Sequence, residues 1–188
     1  MPSYPETLND PAIRSAGGSA CLAHAVVHSA AEELNDCFRM LQHCVSQLSE
    51  DQVWHRPTSH QNAIGNLLLH LQGNLQQWIV CGLSGQTDNR HRPTEFSITR
   101  GLNSSELMQS LQSCVQRANN LLGSLSEDDL LRTRRIQGFE MQGLAALQHA
   151  VSHFRGHTQE IIGRTRLLLD DTYQFAWVPH GKDQGAEE

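Results

Sequence analysis

Residues 142–169 read QGLAALQHAVSHFRGHTQEIIGRTRLLL, and within them Leu144, Leu147, Val151, Phe154, Thr158, Ile161, Thr165 and Leu168 alternate by three and four. That spacing is the period of a long α-helix with one apolar face. The same stretch sets His149, His153 and His157 at successive four-residue steps. Side chains four apart on a helix share a face, roughly 5–6 Å apart at Cβ, so two imidazoles there can converge on one metal ion. Such pairs also arise by chance among 11 histidines, and His24 with His28 forms another. That second pair lies in the first turns of its own helix, where a solvent-facing polar role is expected.

Upstream, Leu125-Ser126-Glu127-Asp128-Asp129 nearly repeats Leu48-Ser49-Glu50-Asp51-Gln52. Ser49 with Gln52 has the form of a capping box, and each copy follows one long helix and precedes a histidine-bearing one. Two similar helical hairpins are the expectation. The first long helix spans about residues 20–48, with Val27, Leu34, Phe38, Leu41, Val45 and Leu48 inward, and Cys37 and Cys44 as small core or flank residues rather than reactive thiols. The second, about 62–82, carries the stripe Ile64, Leu67, Leu68, Leu71, Leu75, Trp78 and Ile79, with His70 beside it and Asn66 and Asn74 one turn away. The third opens at Asn103 with Glu106 three residues on and runs through Leu107, Leu111, Val115, Ala118, Leu121 and Leu122. Residues 83–101 have no periodicity and read as a polar crossover, able at about 3.3 Å per residue to run the length of a ~30 Å helix. The cluster Arg132, Arg134 and Arg135 reads as a solvated loop.

At 188 residues the chain suits one domain with its own core. Residues 1–19 are expected to be an extended tail, 20–170 the bundle, and 171–188 a strap through Tyr173, Phe175 and Trp177 followed by a mobile acidic end. A net charge of −6 gives no general attraction to nucleic acid or to an anionic membrane. Five cysteines without a C-x-x-C indicate reduced thiols rather than a disulfide framework or a cysteine zinc site. No signal peptide and no apolar run of about 20 residues is visible, so a soluble cytoplasmic protein is expected.

The direction of the histidines constrains the topology. At 100° per residue His157 lies roughly 80° from the centre of its helix's apolar stripe, His153 roughly 120° and His149 roughly 160°. His149 is therefore expected to face solvent, leaving His153 with His157 as the preferred pair. His70 lies roughly 100° from its own stripe, displaced to the same side. Same-handed flanks meet only when two facing helices are antiparallel. A long crossover between the second and third helices makes the second and fourth antiparallel. The expected fold is all-α, a four-helix bundle in up-down-down-up order, with His70, His153 and His157 converging between helices.

The segments Ile64-Gly65-Asn66-Leu67-Leu68-Leu69-His70-Leu71 and His153-Phe154-Arg155-Gly156-His157-Thr158-Gln159-Glu160-Ile161 resemble the histidine segments of the DinB-like, or YfiT-like, superfamily. The resemblance covers about residues 22–169. It implies an up-down-down-up bundle, commonly dimeric, in which His70, His153 and His157 hold a divalent metal such as zinc, nickel or manganese. Thr158 and Gln159 stand where members often carry a basic-Gly-Gln run, and the segment Gly73–Trp78 with the loop through Arg92, Glu95 and Phe96 looks closest to a branch with no assigned reaction. By analogy the resemblance points to a thiol-dependent transferase using a low-molecular-weight thiol, or a metal-dependent hydrolase, acting on a small molecule. The alternative is a non-enzymatic homodimeric bundle whose histidines are polar flank residues or a structural metal site. No catalytic residue is singled out: Glu160, Gln159, Asn66 and Asn74 are candidate partners of the ligands, and no cysteine has an identifiable histidine partner.

Overall fold

The computed structural model describes residues 18–176. In chain order the elements are helix α1 (Gly18–Val45), short α2 (Glu50–Val53), α3 (Ile64–Leu75), short α4 (Arg92–Ser97), α5 (Ser104–Leu122), short α6 (Glu127–Leu131), strands β1 (Thr133–Ile136) and β2 (Phe139–Gln142), and α7 (Gly143–Leu169). No helix among the described residues is long and apolar enough to cross a membrane.

Side-chain caps fix where several helices begin. Ser49 Oγ accepts from the Gln52 N–H at 3.3 Å while the Gln52 side chain accepts from the Ser49 N–H at 2.9 Å. Asn103 with Glu106 and Ser126 with Asp129 form the same reciprocal pair at the heads of α5 and α6. At the head of α3 Asn66 reaches back to the Ala63 N–H at 3.1 Å. The repeated Leu-Ser-Glu-Asp segments are thus two equivalent capped turns, each leading into a histidine-bearing helix.

The four long helices form the bundle, and contacts along them give its directions. Against α7, residues Asn62, His70 and Trp78 meet Arg164, His153 with His157, and His149, so α3 and α7 are antiparallel. Gln72 and Gln76 of the second long helix meet Cys114 and Arg117 of α5, so those two run parallel. Glu33 pairs with Arg155, while Cys37 and Cys44 face Thr158 and Thr165, so α1 and α7 are parallel. The order is up-down-down-up, with the crossover between the second and third long helices. Leu34, Leu41, Leu71, Leu75, Leu111, Phe154 and Ile161 meet in the centre, all buried.

Four features depart from the expectations. The first helix already includes Gly18 and Ser19, assigned above to the tail, and ends at Val45. The second long helix continues past Leu75 as a π-helical turn, Gln76–Cys81, where the Gly82 N–H bonds Gln77 O five residues back at 2.9 Å. The crossover contains α4, which Pro93 helps to start. Residues 133–142 are a hairpin rather than a loop, with Thr133 opposite Gln142 and Ile136 opposite Phe139. Its two-residue turn, Gln137 and Gly138, has φ of 52° and 84°, the left-handed pair that matches the twist of paired strands. Arg132 and Arg135 are exposed as expected, but the Arg134 side chain is only 13% exposed and reaches Asp129. After α7, Tyr173 is buried and Gln174 O accepts from His43 and Gln47, a strap over the end of α1. Trp177, residues 1–17 and the acidic end lie outside the described residues.

Candidate metal centre

His70 sits on α3 one turn beyond Asn66, on the flank facing α7. His153 and His157 sit one turn apart on the opposing flank of α7. Ring centroids are 4.9 Å apart for His70 and His153, 5.1 Å for His70 and His157, and 4.6 Å for His153 and His157. One ring nitrogen from each lies within 4.8 Å of the others, and the Nε2 atoms of His70 and His153 are 3.1 Å apart. Among the described residues no other group of three histidine, cysteine or carboxylate side chains is gathered in this way. His70 is buried, whereas His153 and His157 are half-buried, so the cluster lies at the mouth of the α3–α7 interface.

The far side of each ring is treated differently. His70 Nδ1 is 2.9 Å from Oε2 of Glu95, a residue of α4, and 3.0 Å from Arg90 Nη2. Arg90 grips the same carboxylate from behind, Nε to Oε1 at 2.6 Å and Nη2 to Oε2 at 2.8 Å. Burial alone would raise the Glu95 pKa; the hydrogen bonds and charge of Arg90, then those of His70, outweigh it and hold the carboxyl below its usual value. His157 Nδ1 is 2.8 Å from Glu160 Oε2, and Glu160 is backed in turn by Arg164 Nη2 at 2.6 Å. His153 Nδ1 is buried with no partner. Burial, then repulsion from His157, His70 and His149, pushes the His153 pKa down to about 3, leaving it a neutral imidazole at neutral pH.

A neutral imidazole has one N–H and one lone pair, and a carboxylate can only accept. His157 therefore points its N–H at Glu160. Nδ1 of His70 faces both Glu95 and Arg90 Nη2, and because that Nη2 already donates to the same Glu95 oxygen, the carboxylate is the group left to take an N–H from His70, whose Nε2 lone pair then faces the other rings. Three imidazole nitrogens at such separations are a donor set that suits zinc, nickel or other divalent transition metals. The residues present could hold such an ion.

Sequence reasoning placed the three rings together, put His149 in solvent and named Glu160 as a candidate partner. His149 is exposed, its ring 5.9 Å from His153 and laid against the indole of Trp78 at 4.1 Å. Asn66 has a different role from the one considered: its side chain binds Glu95 O at 2.9 Å and Ile98 O at 2.7 Å, clamping α4 onto α3. Asn74 is buried on α3 and meets none of the three rings in a hydrogen bond. Glu95 and Arg90 were not identified from the sequence as partners of His70. The signal available was Gly73, a glycine inside a helix, which commonly marks close packing.

No curated protein matches the chain. Among solved structures, the crystal structure of a DinB-like protein, YjoA, from Bacillus subtilis has a TM-score of 0.57 at 16% identity, over 74% of this chain and 92% of that one. The crystal structure of a conserved protein from Enterococcus faecalis has a TM-score of 0.64 at 14% identity, over 74% of this chain and 95% of that one. At these identities the likeness is one of fold, and it is the bundle described above. The model of a family described as a protein of unknown function, DUF1572, matches residues 22–182, and the chain belongs to that family, with a DinB-like fold.

Proposed function

We propose that His70, His153 and His157 bind one divalent metal ion, zinc, nickel or manganese, and that the chain is a metal-dependent enzyme acting on a small molecule. The observation that carries this reading is the convergence of three imidazoles whose outward N–H groups are, in two cases, already committed to carboxylates. When bound, such an ion supplies Lewis acidity and lowers the pKa of a group at its remaining positions. The chain's own contribution is to hold three lone pairs in place and to keep one side of the centre open. A low-molecular-weight thiol as co-substrate, transferred to an electrophile, is the favoured reaction class, and hydrolysis is the second. A structural centre would instead need a fourth protein ligand, and the neighbouring imidazole, His149, lies tilted against Trp78. A homodimer in the cytoplasm belongs to the same proposal and is checked by light scattering.

Metal content of the purified full-length chain tests it. About one ion per chain is expected in the wild type and in His149→Ala, and near none in His70→Ala, His153→Ala and His157→Ala. A wild type that takes up no metal on reloading, or a loss confined to His149→Ala, overturns the proposal.

A further inference from the structure

The crossover between the second and third long helices delivers a buried ion pair to the back of His70. The side chain of Arg90 is 4% exposed and that of Glu95 10%. Removing such a pair from water is costly, and its mutual attraction only partly offsets the cost, so a buried pair is weak evidence of stability. What surrounds this one is a set of contacts that all fix a single orientation. Arg90 Nη1 donates to Gln77 Oε1 at 2.9 Å, and Asp88 accepts from both the Arg90 backbone N–H and the Gln77 side chain. Asn66 and Arg56 hold the carbonyls of Glu95, Phe96 and Ile98, so the α4 backbone is pinned as well.

Gly73 completes the arrangement. A Cβ built there would overlap Glu95 Oε1 and come within 2.8 Å of Arg90 Nε. The helix has therefore given up a side chain, at a cost of about 1 kcal/mol in a helix interior, at the position where the pair lies against it.

On the other side of the centre the same order of groups recurs within α7: Arg164, Glu160, then His157 Nδ1. Two independent elements thus build one device, an arginine that orients a carboxylate and a carboxylate that takes the outward N–H of an imidazole.

We infer that Glu95, held by Arg90 in the space left by Gly73, and Glu160, held by Arg164, are positioning residues that lock the rings of His70 and His157 as Nδ1–H tautomers with Nε2 free. The inference rests on the metal-binding reading for its purpose but not for its geometry. Ligand imidazoles fixed by outer carboxylates bind metal more tightly, and loss of such a partner typically costs 10–100-fold in affinity. The arginines also balance the two carboxylate charges, so that they orient the rings without adding net negative charge to the centre. His153, without a partner at Nδ1, is the ring left free to adjust.

Two readings on the full-length chain test it. In the metal-free protein at pH 8, imidazole 15N spectra are expected to show His70 and His157 as Nδ1–H tautomers. Glu95→Ala should release His70 alone and Glu160→Ala His157 alone. Titration with zinc is expected to weaken by about 10–100-fold in Glu95→Ala, Glu160→Ala and Gly73→Ala, with stoichiometry unchanged. Gly73→Ala separates positioning from simple loss of a side chain, because it displaces the carboxylate while leaving Glu95, Arg90 and every ligand in the chain. Wild-type tautomers and affinity retained in Glu95→Ala, with zinc still bound by the wild type, overturn the inference and leave the metal reading standing. A wild type that binds no zinc but loses its His70 tautomer in Glu95→Ala overturns the metal reading and leaves the positioning intact.

Discussion

Against α1, helix α7 presents Thr158 and Thr165; against α3, it presents His153 and His157. Both threonines are buried, at 1% and 0% exposure, yet both hydroxyls are bonded within the helix, to Phe154 O and Ile161 O at 2.8 Å. Their neighbours across the interface are Cys37 and Cys44, small thiols that pack like apolar groups. Both threonine hydroxyls of α7 on that face are thus satisfied inside the helix itself. One helical turn away, the histidine face gathers one ring nitrogen from each of three imidazoles within 4.8 Å of the others and leaves a buried Nδ1 with no partner. The same helix therefore closes its hydrogen bonds on one side and leaves capacity over on the other. Buried polar groups are almost always satisfied, so the surplus, not the polarity, marks the side where function lies.

If the two faces divide stability and binding in this way, substitutions should separate them. Leu41, fully buried on α1, belongs to the closed face. Leu41→Ala is expected to cost about 2–5 kcal/mol in urea unfolding of the metal-free protein, from lost burial and the cavity left behind. The folded fraction should still bind metal in wild-type stoichiometry. His153→Ala should behave in the opposite sense, abolishing binding while changing metal-free stability by no more than about 1 kcal/mol, since it removes a ring with an unsatisfied buried nitrogen. A large loss of metal-free stability in His153→Ala would mean that the imidazoles are packing residues, and the comparison would break.

The thiols of the core sharpen the contrast chemically. Burial, and next the nearby Glu33 carboxylate, pushes the Cys37 thiol up to about 11, and burial pushes Cys114 up to about 11 as well. A raised thiol pKa means less thiolate at any pH below it, and the thiolate is the reactive form. At pH 8 alkylation of Cys37 and Cys114 in the native protein should run about 100-fold slower than for an ordinary thiol near pKa 8.5. Peptide mass spectrometry after timed iodoacetamide treatment reads this directly. Rapid native labelling of Cys37 would show an open α1–α7 interface and return a cysteine nucleophile to consideration.

How much of this division could be read before the fold is itself instructive. The α7 period gave the direction of His153 and His157 because a helix ties side-chain direction to residue number. The length of the crossover then gave the antiparallel sense that brings His70 to them. The partners of His70 obey no such rule: Glu95 lies 25 residues from it in a segment without periodicity, and only the folded crossover brings the two together. The hairpin was missed because Thr133-Arg134-Arg135-Ile136 has no alternation of apolar and polar residues, and Gly138 alone is a weak turn signal. The π-helical turn at Gln76–Cys81 was invisible for a related reason. One residue of drift in a helix disturbs the apolar stripe less than the scatter of the stripe itself.

The smallest expected effect tests the closed face most strictly. Thr165→Val exchanges a buried hydroxyl for a methyl of similar size. Ordinarily a swap that strands a buried hydrogen-bond partner costs about 1–3 kcal/mol. Here the acceptor, Ile161 O, lies inside a helix where the backbone N–H of residue 165 already bonds it, so no group is left unpaired. The hydroxyl's own desolvation disappears at the same time. The net change in unfolding free energy should thus stay within about 1 kcal/mol of zero, and metal stoichiometry should be untouched. A loss well beyond that range would show that Thr165 also holds Cys44 across the interface, a contact that lowers the Cys44 thiol pKa against the larger raising effect of its burial. The closed face would then contain a polar link between helices, and the contrast with the histidine face would be one of degree.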